Sequence, residues 1–240
     1  MPTDLIVTGA SGRLGRMLRP LWPDACWLSR GDPWPSGQGG AILNLAGVTD
    51  PAGPLEDNVT TAARALDEGA RRGARVFLMS SAAVYGAGEF SESDPPRPAN
   101  AYGAAKLRME GLPGAATILR LGNVAGADAL LGRAQGAVVL DPVGAGGPLR
   151  SYIGPVTLAR VLEALFAAPD LPRILNIAQP PPVAMEALLD AADIPWQFGP
   201  PRAGVVPRVA LKVDRLAAIC SLPTADPATM VAEWRRLCSR

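Results

Sequence analysis

The chain contains no histidine at all. Ser-His-Asp and Cys-His catalysis both need an imidazole, so both are excluded, and so is any metal site built on histidine. The three cysteines, Cys26, Cys220 and Cys238, lie far apart and form no Cys-x-x-Cys pair. We therefore expect no bound metal, and we interpret the cysteines as small buried apolar residues of a protein from a reducing compartment.

The sequence also lacks the features that direct a protein to a membrane or to nucleic acid. No apolar run is long enough to cross a bilayer, and an apolar strand pattern begins within a few residues of Met1, which leaves no room for a signal peptide. The formal net charge is only +1, and no basic stripe with interleaved aromatic residues occurs. We expect a cytoplasmic protein that binds neither membranes nor nucleic acid.

The patterning that is present predicts an α/β fold. A chain of 240 residues that is 48% hydrophobic can bury a sizeable core. Short apolar runs alternate with segments of helical periodicity, as in a parallel sheet covered on both faces. The predicted strands are residues 5–7, 25–28, 41–47, 75–81, 116–120, 138–140 and 174–177. The predicted helices are residues 14–21, a helix capped by Asp57 and Asn58 and closed by Gly73, and residues 101–110, 156–166, 185–192 and 230–237, whereas residues 89–100 and 195–208 are predicted loops.

A glycine-rich turn follows the first predicted strand, where residues 8–15 read Thr-Gly-Ala-Ser-Gly-Arg-Leu-Gly. Glycines let the backbone bend tightly and approach a ligand, and the N–H groups and dipole of the following helix attract a phosphate. The spacing therefore favours a nucleotide-binding turn, with an ordinary strand-to-helix turn as the alternative. The turn residues that we expect at the nucleotide are Gly9, Ser11, Gly12, Arg13, Leu14 and Gly15.

Ser29 and Arg30 close the second predicted strand, where a dinucleotide fold meets the adenosine ribose. An acidic residue there binds the 2′-hydroxyl of NAD, whereas a cation accommodates the 2′-phosphate of NADP. Arg30 provides such a cation, and Arg13 is expected to add a second. We therefore predict a preference for NADP over NAD; the alternative is that both arginines are solvated surface residues.

Tyr102 and Lys106 are four residues apart and share one face of a predicted helix. A phenol with a pKa near 10 is a poor base at neutral pH, but a neighbouring cation favours the phenolate and lowers that pKa. Ser81 ends a neighbouring strand, and parallel strands present their C-terminal ends at the ligand-binding edge of a sheet. We expect the three groups to converge beside the nucleotide; the alternative is a surface lysine beside a half-buried aromatic ring.

Taken together, six motifs in this order resemble the extended short-chain dehydrogenase/reductase family, the NAD-dependent epimerase/dehydratases. The motifs are Thr8-Gly-Ala-Ser-Gly-Arg-Leu-Gly15, Asn44-Leu-Ala-Gly47, Asp57-Asn58-Val59, Ser80-Ser-Ala-Ala-Val-Tyr-Gly86, Tyr102-Gly-Ala-Ala-Lys106 and Leu119-Arg-Leu-Gly-Asn-Val-Ala-Gly126. The resemblance implies a doubly wound, mostly parallel Rossmann sheet. Residues 1–150 would form the dinucleotide-binding core, and residues 151–240 a small substrate lobe interleaved with the last core elements.

The resemblance also implies roles for individual residues. Tyr102 would exchange a proton with the substrate, Lys106 would hold the nicotinamide ribose and lower the pKa of Tyr102, and Ser81 would hydrogen-bond the substrate oxygen. Asn58 would support the site, although an N-cap role explains it equally well. Further cofactor contacts are expected from Leu45, Ala46, Gly47 and Leu121. Asn123 and Arg150 are candidates for the phosphates of a nucleotide sugar, with a turn residue and a surface charge as the alternatives.

The sequence departs from the family in two places. Residues 31–40 are too few, and too rich in glycine and proline, for the usual helix, third strand and adenine-contacting aspartate. We predict that the third strand is short or missing and that the adenine pocket is open on one side. The segment from Asn123 to Arg150 and the C-terminal region are also short, which predicts a small substrate lobe.

The leading hypothesis is an NAD(P)-dependent oxidoreductase that acts on a carbonyl or alcohol of a sugar-like or small polar molecule. One alternative is a nucleotide-sugar epimerase that retains NAD. Another, of a different class, is a dinucleotide sensor without turnover, although a sensor has no need of Ser81, Tyr102 and Lys106. Homodimerisation is left open, because the apolar helix faces used by relatives cannot be told from ordinary core.

Overall fold

A computed structural model describes residues 4–132 and 136–238 of the chain. In chain order, its first part contains β1 (Leu5–Thr8), α1 (Arg13–Leu18), β2 (Cys26–Leu28), β3 (Ala41–Asn44), α2 (Asp57–Arg72), β4 (Arg75–Ser81), β5 (Gly88–Phe90), α3 (Ala101–Glu110) and β6 (Thr117–Leu121). There follow β7 (Asn123–Val124), α4 (Ala129–Gly132), β8 (Val138–Leu140), β9 (Leu149–Ile153), α5 (Pro155–Ala167), β10 (Ile174–Ile177), β11 (Gln179–Ala184), α6 (Met185–Ala191), β12 (Trp196–Phe198), β13 (Arg208–Leu211), α7 (Asp214–Ala217) and α8 (Pro227–Cys238).

Six parallel strands form the central sheet in the order β10-β6-β4-β3-β1-β2. Successive strand residues point to opposite faces, so Val7 and Leu43 pack with α1 and α5, whereas Ile6 and Ile42 pack with α2 and α3. Both faces are therefore covered by helices, which confirms the predicted doubly wound α/β fold.

The central sheet ends at β2, which has β1 as its neighbour and, among the described residues, no strand beyond it. Residues 29–40 contain no helix or strand, so the missing third strand is confirmed. This short segment instead folds back against α2, where Trp34 packs on the helix face and the Gly39 N–H donates to the Arg72 carbonyl at 2.7 Å. The edge of the central sheet beside β2 is therefore covered by this coil segment and not by a further strand.

A second sheet, in the order β11-β9-β13-β5 with β7 beside β9, forms a smaller lobe next to the C-terminal ends of the central strands. β8 and β12 form a separate pair. Helices α4, α6 and α8 surround this lobe's own apolar cluster, which includes Leu131, Leu188 and Met230. The lobe is fastened to the core by Glu233 of α8, whose carboxylate accepts the Val156 N–H at 2.8 Å at the start of α5.

Several local predictions were wrong because distant partners decide the structure. The predicted loop at residues 195–208 contains β12, and the loop at residues 89–100 begins inside β5. These three-residue strands form by pairing with β8 and β13, which are far away in sequence. β3 ends at Asn44 rather than at residue 47, and α1 ends at Leu18, where a 3-10 turn containing Pro20 takes over.

The expected capping of α2 by Asp57 and Asn58 was also wrong. Glu56 occupies the N-cap position, and the fully buried Asn58 side chain instead donates to the Val48 and Leu55 carbonyls, both at 2.9 Å. Gly73 ends α2 in the left-handed conformation, as predicted. Asn58 thus fixes the loop that follows β3.

The expectation for the cysteines was also incorrect: Cys238 is exposed, and Cys26 and Cys220 are only partly buried. All three thiols are free. Within residues 4–132 and 136–238, no helix has the length and apolar character needed to cross a membrane.

Candidate active site

A cavity of about 600 Å³ lies at the C-terminal ends of the central strands. Its walls come from the glycine-rich turn after β1, the ends of β4 and β6, α3, and the first residues of the lobe. A smaller cavity of about 230 Å³ lies against β2 and the start of α2. The turn lies between them, since Gly9 and Gly12 line both.

The glycine-rich turn has a backbone course that side chains would block. Gly9 has φ of +82°, and a Cβ there would lie 2.7 Å from the Ala46 backbone nitrogen. A Cβ at Gly15 would overlap the carbonyl oxygens of Gly9 and Ala10. Because these neighbours are backbone atoms, they cannot move aside. The two glycines keep the turn closely packed against the end of β3.

Ser81 and Tyr102 meet where β4 ends and α3 begins. The Ser81 hydroxyl caps a short 3-10 turn by accepting the Ala83 N–H at 3.1 Å. Asn100 caps α3 by accepting the Gly103 N–H at 2.8 Å, which places Tyr102 in the first turn of that helix. The Ser81 and Tyr102 side chains both line the cavity wall, and Ser81 acts to lower the pKa of the Tyr102 phenol. The predicted convergence of these two side chains is therefore observed.

Lys106 lies one helical turn further along α3 and is buried. Its Nζ donates to the Met79 carbonyl at 2.8 Å and lies 6.0 Å from the centre of the Tyr102 ring. Burial lowers the pKa of Lys106 from 10.5 to about 8, and the charge of Glu110 partly opposes that effect. Lys106 also lines the large cavity, beside Gly47 and Asn58.

The expectation that Lys106 lowers the pKa of Tyr102 was wrong for this structure. Burial raises the pKa of the phenol above 10.0, and the groups that oppose this rise are Ser81 and Arg13. The ammonium of Lys106 is directed to the Met79 carbonyl instead. The phenol is therefore protonated at neutral pH and is set up to donate a proton.

The small cavity contains the residues predicted to meet the adenosine ribose. Arg30 lines it, with a largely exposed side chain whose Nη2 pairs with Asp57 at 2.6 Å. Ser29 lies beside Arg30, and its N–H donates to Asp32 at 2.7 Å. Arg13 does not line this cavity, contrary to the prediction, because its side chain extends to Thr49 along the large cavity. Arg64 of α2 lines the small cavity in its place.

The remaining predicted site residues divide between the two cavities, with one exception. Ser11 and Ala46 line the small cavity, and Leu45 and Gly47 line both. The large cavity is further lined by Leu14, Gly15, Leu121 and Asn123. Arg150 lines neither, because its guanidinium donates to the carbonyls of Leu149 at 2.8 Å and Val206 at 2.7 Å. The structure does not bring Arg150 to the site.

Asp128 and Tyr152 line the lobe side of the large cavity and were not predicted. The Tyr152 hydroxyl donates to Asp128 Oδ2 at 2.6 Å, and the Leu131 N–H donates to Oδ1 at 3.2 Å. Burial raises the pKa of Asp128, whereas its hydrogen bonds and the charge of Arg13 act in the opposite direction. This end of the cavity therefore presents a carboxylate held by a buried phenol.

The match to a family model settles the classification. Residues 40–178, more than half of the chain, match the NAD dependent epimerase/dehydratase family. The chain belongs to this family. The epimerase/dehydratase is accordingly an enzyme of the NAD-dependent oxidoreductase type, and a sensor without turnover is not supported. The resemblance seen in the sequence is confirmed.

Solved structures show the same fold. MoeE5, in complex with UDP-glucuronic acid and NAD, is 22% identical, with a TM-score of 0.74 and coverage of 97% of this chain and 99% of its own. TunA, an NAD-dependent NDP-hexosamine 5,6-dehydratase of tunicamycin biosynthesis, is 16% identical with a TM-score of 0.78 over 99% and 98%. A UDP-glucose 4-epimerase from Stenotrophomonas maltophila, with NAD and formylated UDP-arabinopyranose, is 16% identical with a TM-score of 0.73 over 99% and 99%. No curated protein matches the sequence significantly.

Two of the residues that the epimerase/dehydratase brings to its cavities had a partial signal in the sequence. Tyr152 belongs to the segment Leu149-Arg-Ser-Tyr-Ile153, from which Arg150 was selected, and Asp128 follows the Leu119–Gly126 motif by two residues. In a strand, neighbouring side chains point to opposite faces, so Tyr152 and Arg150 share a face of β9. Only the local course of the lobe shows that Tyr152 reaches the cavity and Arg150 does not.

Proposed function

We propose that this enzyme oxidises or reduces a hydroxyl or carbonyl carbon of a small polar substrate, with Tyr102 as the proton-transfer group. The observation that carries the proposal is that Ser81, Tyr102 and Lys106 line the same cavity as the glycine-rich turn. A proton donor, a hydrogen-bonding hydroxyl and a cation are the groups that such a reaction needs beside a dinucleotide.

The residues around the turn fit a nicotinamide dinucleotide. Gly9 and Gly15 hold the turn closely against neighbouring backbone, and Gly9 and Gly12 line both cavities, so the turn presents backbone and not side chains to a ligand there. We infer that the adenosine half binds in the small cavity, along Ser29, Arg30 and Ala46. The nicotinamide half would then bind in the large cavity, near Tyr102 and Lys106. When bound, this cofactor supplies the hydride donor or acceptor.

The chain's own side chains would do the remaining chemistry. The protonated Tyr102 phenol would give its proton to the substrate oxygen in reduction, and the Tyr102 phenolate would accept the proton from the substrate hydroxyl in oxidation. Ser81, which lines the same cavity wall, would hydrogen-bond that substrate oxygen. The buried Lys106 would provide a donor for the cofactor ribose in a wall from which water is largely excluded.

We further propose that the enzyme prefers NADP, although the solved relatives described above hold NAD. Arg30 and Arg64 both line the small cavity, where a 2′-phosphate would need cationic partners. Asp57 pairs with Arg30 and so holds that guanidinium at the cavity.

We expect Arg30→Ala to weaken NADPH binding by roughly 10- to 100-fold and NADH binding by much less, since a hydrogen bond to a charged group is worth about 1.5–3 kcal/mol. The measurement is a calorimetric titration of both cofactors. Arg208→Ala is the matched control, because Arg208 pairs with Glu89 in the lobe and lines neither cavity. Equal losses for the two cofactors would exclude this role.

We propose a nucleotide sugar as one candidate substrate. Asn123, which lines the large cavity, supports this candidate, whereas Arg150 lies outside the cavity and does not. Melting temperatures measured with cofactor and UDP-, GDP- or dTDP-sugars test this option, and no increase with any of them would reject it.

The nucleotide released when the purified enzyme is denatured distinguishes an oxidoreductase from an epimerase. An oxidoreductase must exchange its cofactor, whereas an epimerase retains NAD. Homodimerisation and a cytoplasmic location stay predictions.

A further inference from the structure

The last three residues of β4, Met79, Ser80 and Ser81, lie against three side chains of α3. The Met79 carbonyl accepts a hydrogen bond from the Lys106 ammonium at 2.8 Å, Ser80 donates to Glu110 Oε1 at 2.6 Å, and Ser81 lines the cavity beside Tyr102. Tyr102, Lys106 and Glu110 are spaced at four-residue intervals and therefore lie on one face of the helix. The end of β4 thus fixes this face of α3 in a single register.

Glu110 is the most firmly held of the three. Its carboxylate also receives Arg120 Nη2 at 2.6 Å and Nε at 3.0 Å, from the strand next to β4. The side chains of Arg120 and Glu110 are only 3% and 5% exposed. Arg120 in turn donates to the Tyr85 hydroxyl at 2.7 Å. Glu110 is therefore a buried anion bound from two strands of the central sheet.

The buried ammonium of Lys106 has few partners. On its own helix, Tyr102 lies one turn before it and Glu110 one turn after it. β4 contributes the neutral Met79 carbonyl, and α2 and the loop before it contribute Asn58 and Gly47. The cation Arg120 of β6 is paired with Glu110. Among the described residues, Glu110 is the acidic group that acts on it. A charged amine that has left water needs such an anion to stay protonated.

We infer that Glu110 is a positioning residue of the proton-transfer site, which places its carboxylate one helical turn from Lys106 and holds Tyr102 at the cavity through the docking of α3 on β4. Glu110 does not line either cavity, so it acts through Lys106 and Tyr102 rather than on the substrate or cofactor. The inference rests on the proposed function, which gives these two residues their roles.

The chain offers a direct test because Lys106 and Lys212 are its two lysines. In protein labelled with ¹³C-lysine, an NMR pH titration follows Lys106 with Lys212 as internal reference. We expect Glu110→Gln to lower the pKa of Lys106 by about one pH unit and to leave Lys212 unchanged. Glu110→Asp keeps a carboxylate on a side chain that is one methylene shorter, so it should lower the pKa of Lys106 by less. Glu56→Gln is the matched control, since Glu56 pairs with Arg108 on the exposed side of the same helix.

The order of the two variants separates a charge effect from a packing effect. Glutamine has the shape of glutamate and aspartate does not, so a role that depends only on side-chain shape would leave Glu110→Gln closer to the wild type. That order, or an unchanged Lys106 in a folded variant, would overturn the inference. If Glu110→Gln does not fold, the decrease expected in Glu110→Asp decides alone. The titration needs neither cofactor nor substrate, so a failure to bind NAD(P) would reject the proposed function without affecting this result.

Discussion

Replacing Tyr102 with phenylalanine should lower kcat by about 10²–10⁴-fold, the range that general acid–base catalysis contributes. The change removes one oxygen from a side chain that lines the cavity wall beside Ser81 and leaves the ring in place. Cofactor affinity should therefore stay within about twofold of the wild type. Steady-state turnover of a sugar substrate that raises the melting temperature, followed by nicotinamide absorbance, gives kcat. Calorimetry gives the cofactor affinity.

The pH dependence should identify the same group. Because burial raises the pKa of Tyr102, the phenol carries its proton through the neutral range, so reduction should vary little with pH there. Oxidation needs the deprotonated form and should keep rising with pH into the alkaline range. Turnover by Tyr102→Phe at the wild-type rate would show that another group transfers the proton.

Replacing Arg120 with leucine should lower the free energy of unfolding by about 3–5 kcal/mol, the cost of leaving a buried partner uncompensated. The buried Glu110 carboxyl would lose its guanidinium partner, and Ser80 would be its remaining side-chain hydrogen-bond donor among the described residues. The Tyr85 hydroxyl would also lose the guanidinium that donates to it. Urea unfolding of the variant and the wild type measures this difference.

Arg108 provides the matched control because it belongs to α3 and pairs with Glu56 at a similar distance of 2.7 Å. Both of these side chains are more than half exposed, at 53% and 68%. Arg108→Leu should therefore cost less than about 1 kcal/mol, as exposed ion pairs do. Similar losses for Arg108→Leu and Arg120→Leu would mean that burial does not set the value of the Arg120–Glu110 pair.

The sequence was informative where local patterns decide the structure. The glycine spacing and the four-residue step from Tyr102 to Lys106 are local, and parallel strands bring their C-terminal ends to one edge without further information. Chain length was equally decisive between β2 and β3, where too few residues remained for a further strand. These features account for the fold class and for the cluster of Ser81, Tyr102 and Lys106.

Distant contacts and burial were beyond such patterns. The second arginine in the small cavity, beside Arg30, is Arg64 of α2 and not Arg13. The sequence does not show this, because it depends on the direction of the Arg13 side chain, which extends to Thr49, and on the path of α2. The pKa of Tyr102 depends on how deeply α3 is packed, because burial outweighs the opposing effects of Ser81 and Arg13. The three-residue strands β5 and β12 exist only through partners far along the chain.

The most direct test of the account is a calorimetric titration of the purified enzyme with NADPH and with NADH, after any nucleotide already bound has been identified. Gly15→Val is the matched negative variant, because its side chain would overlap the carbonyls of Gly9 and Ala10. We predict that the wild type binds NADPH more tightly than NADH and that the variant binds neither. Absence of binding of either cofactor to nucleotide-free, folded wild type would contradict a dinucleotide site beside Tyr102.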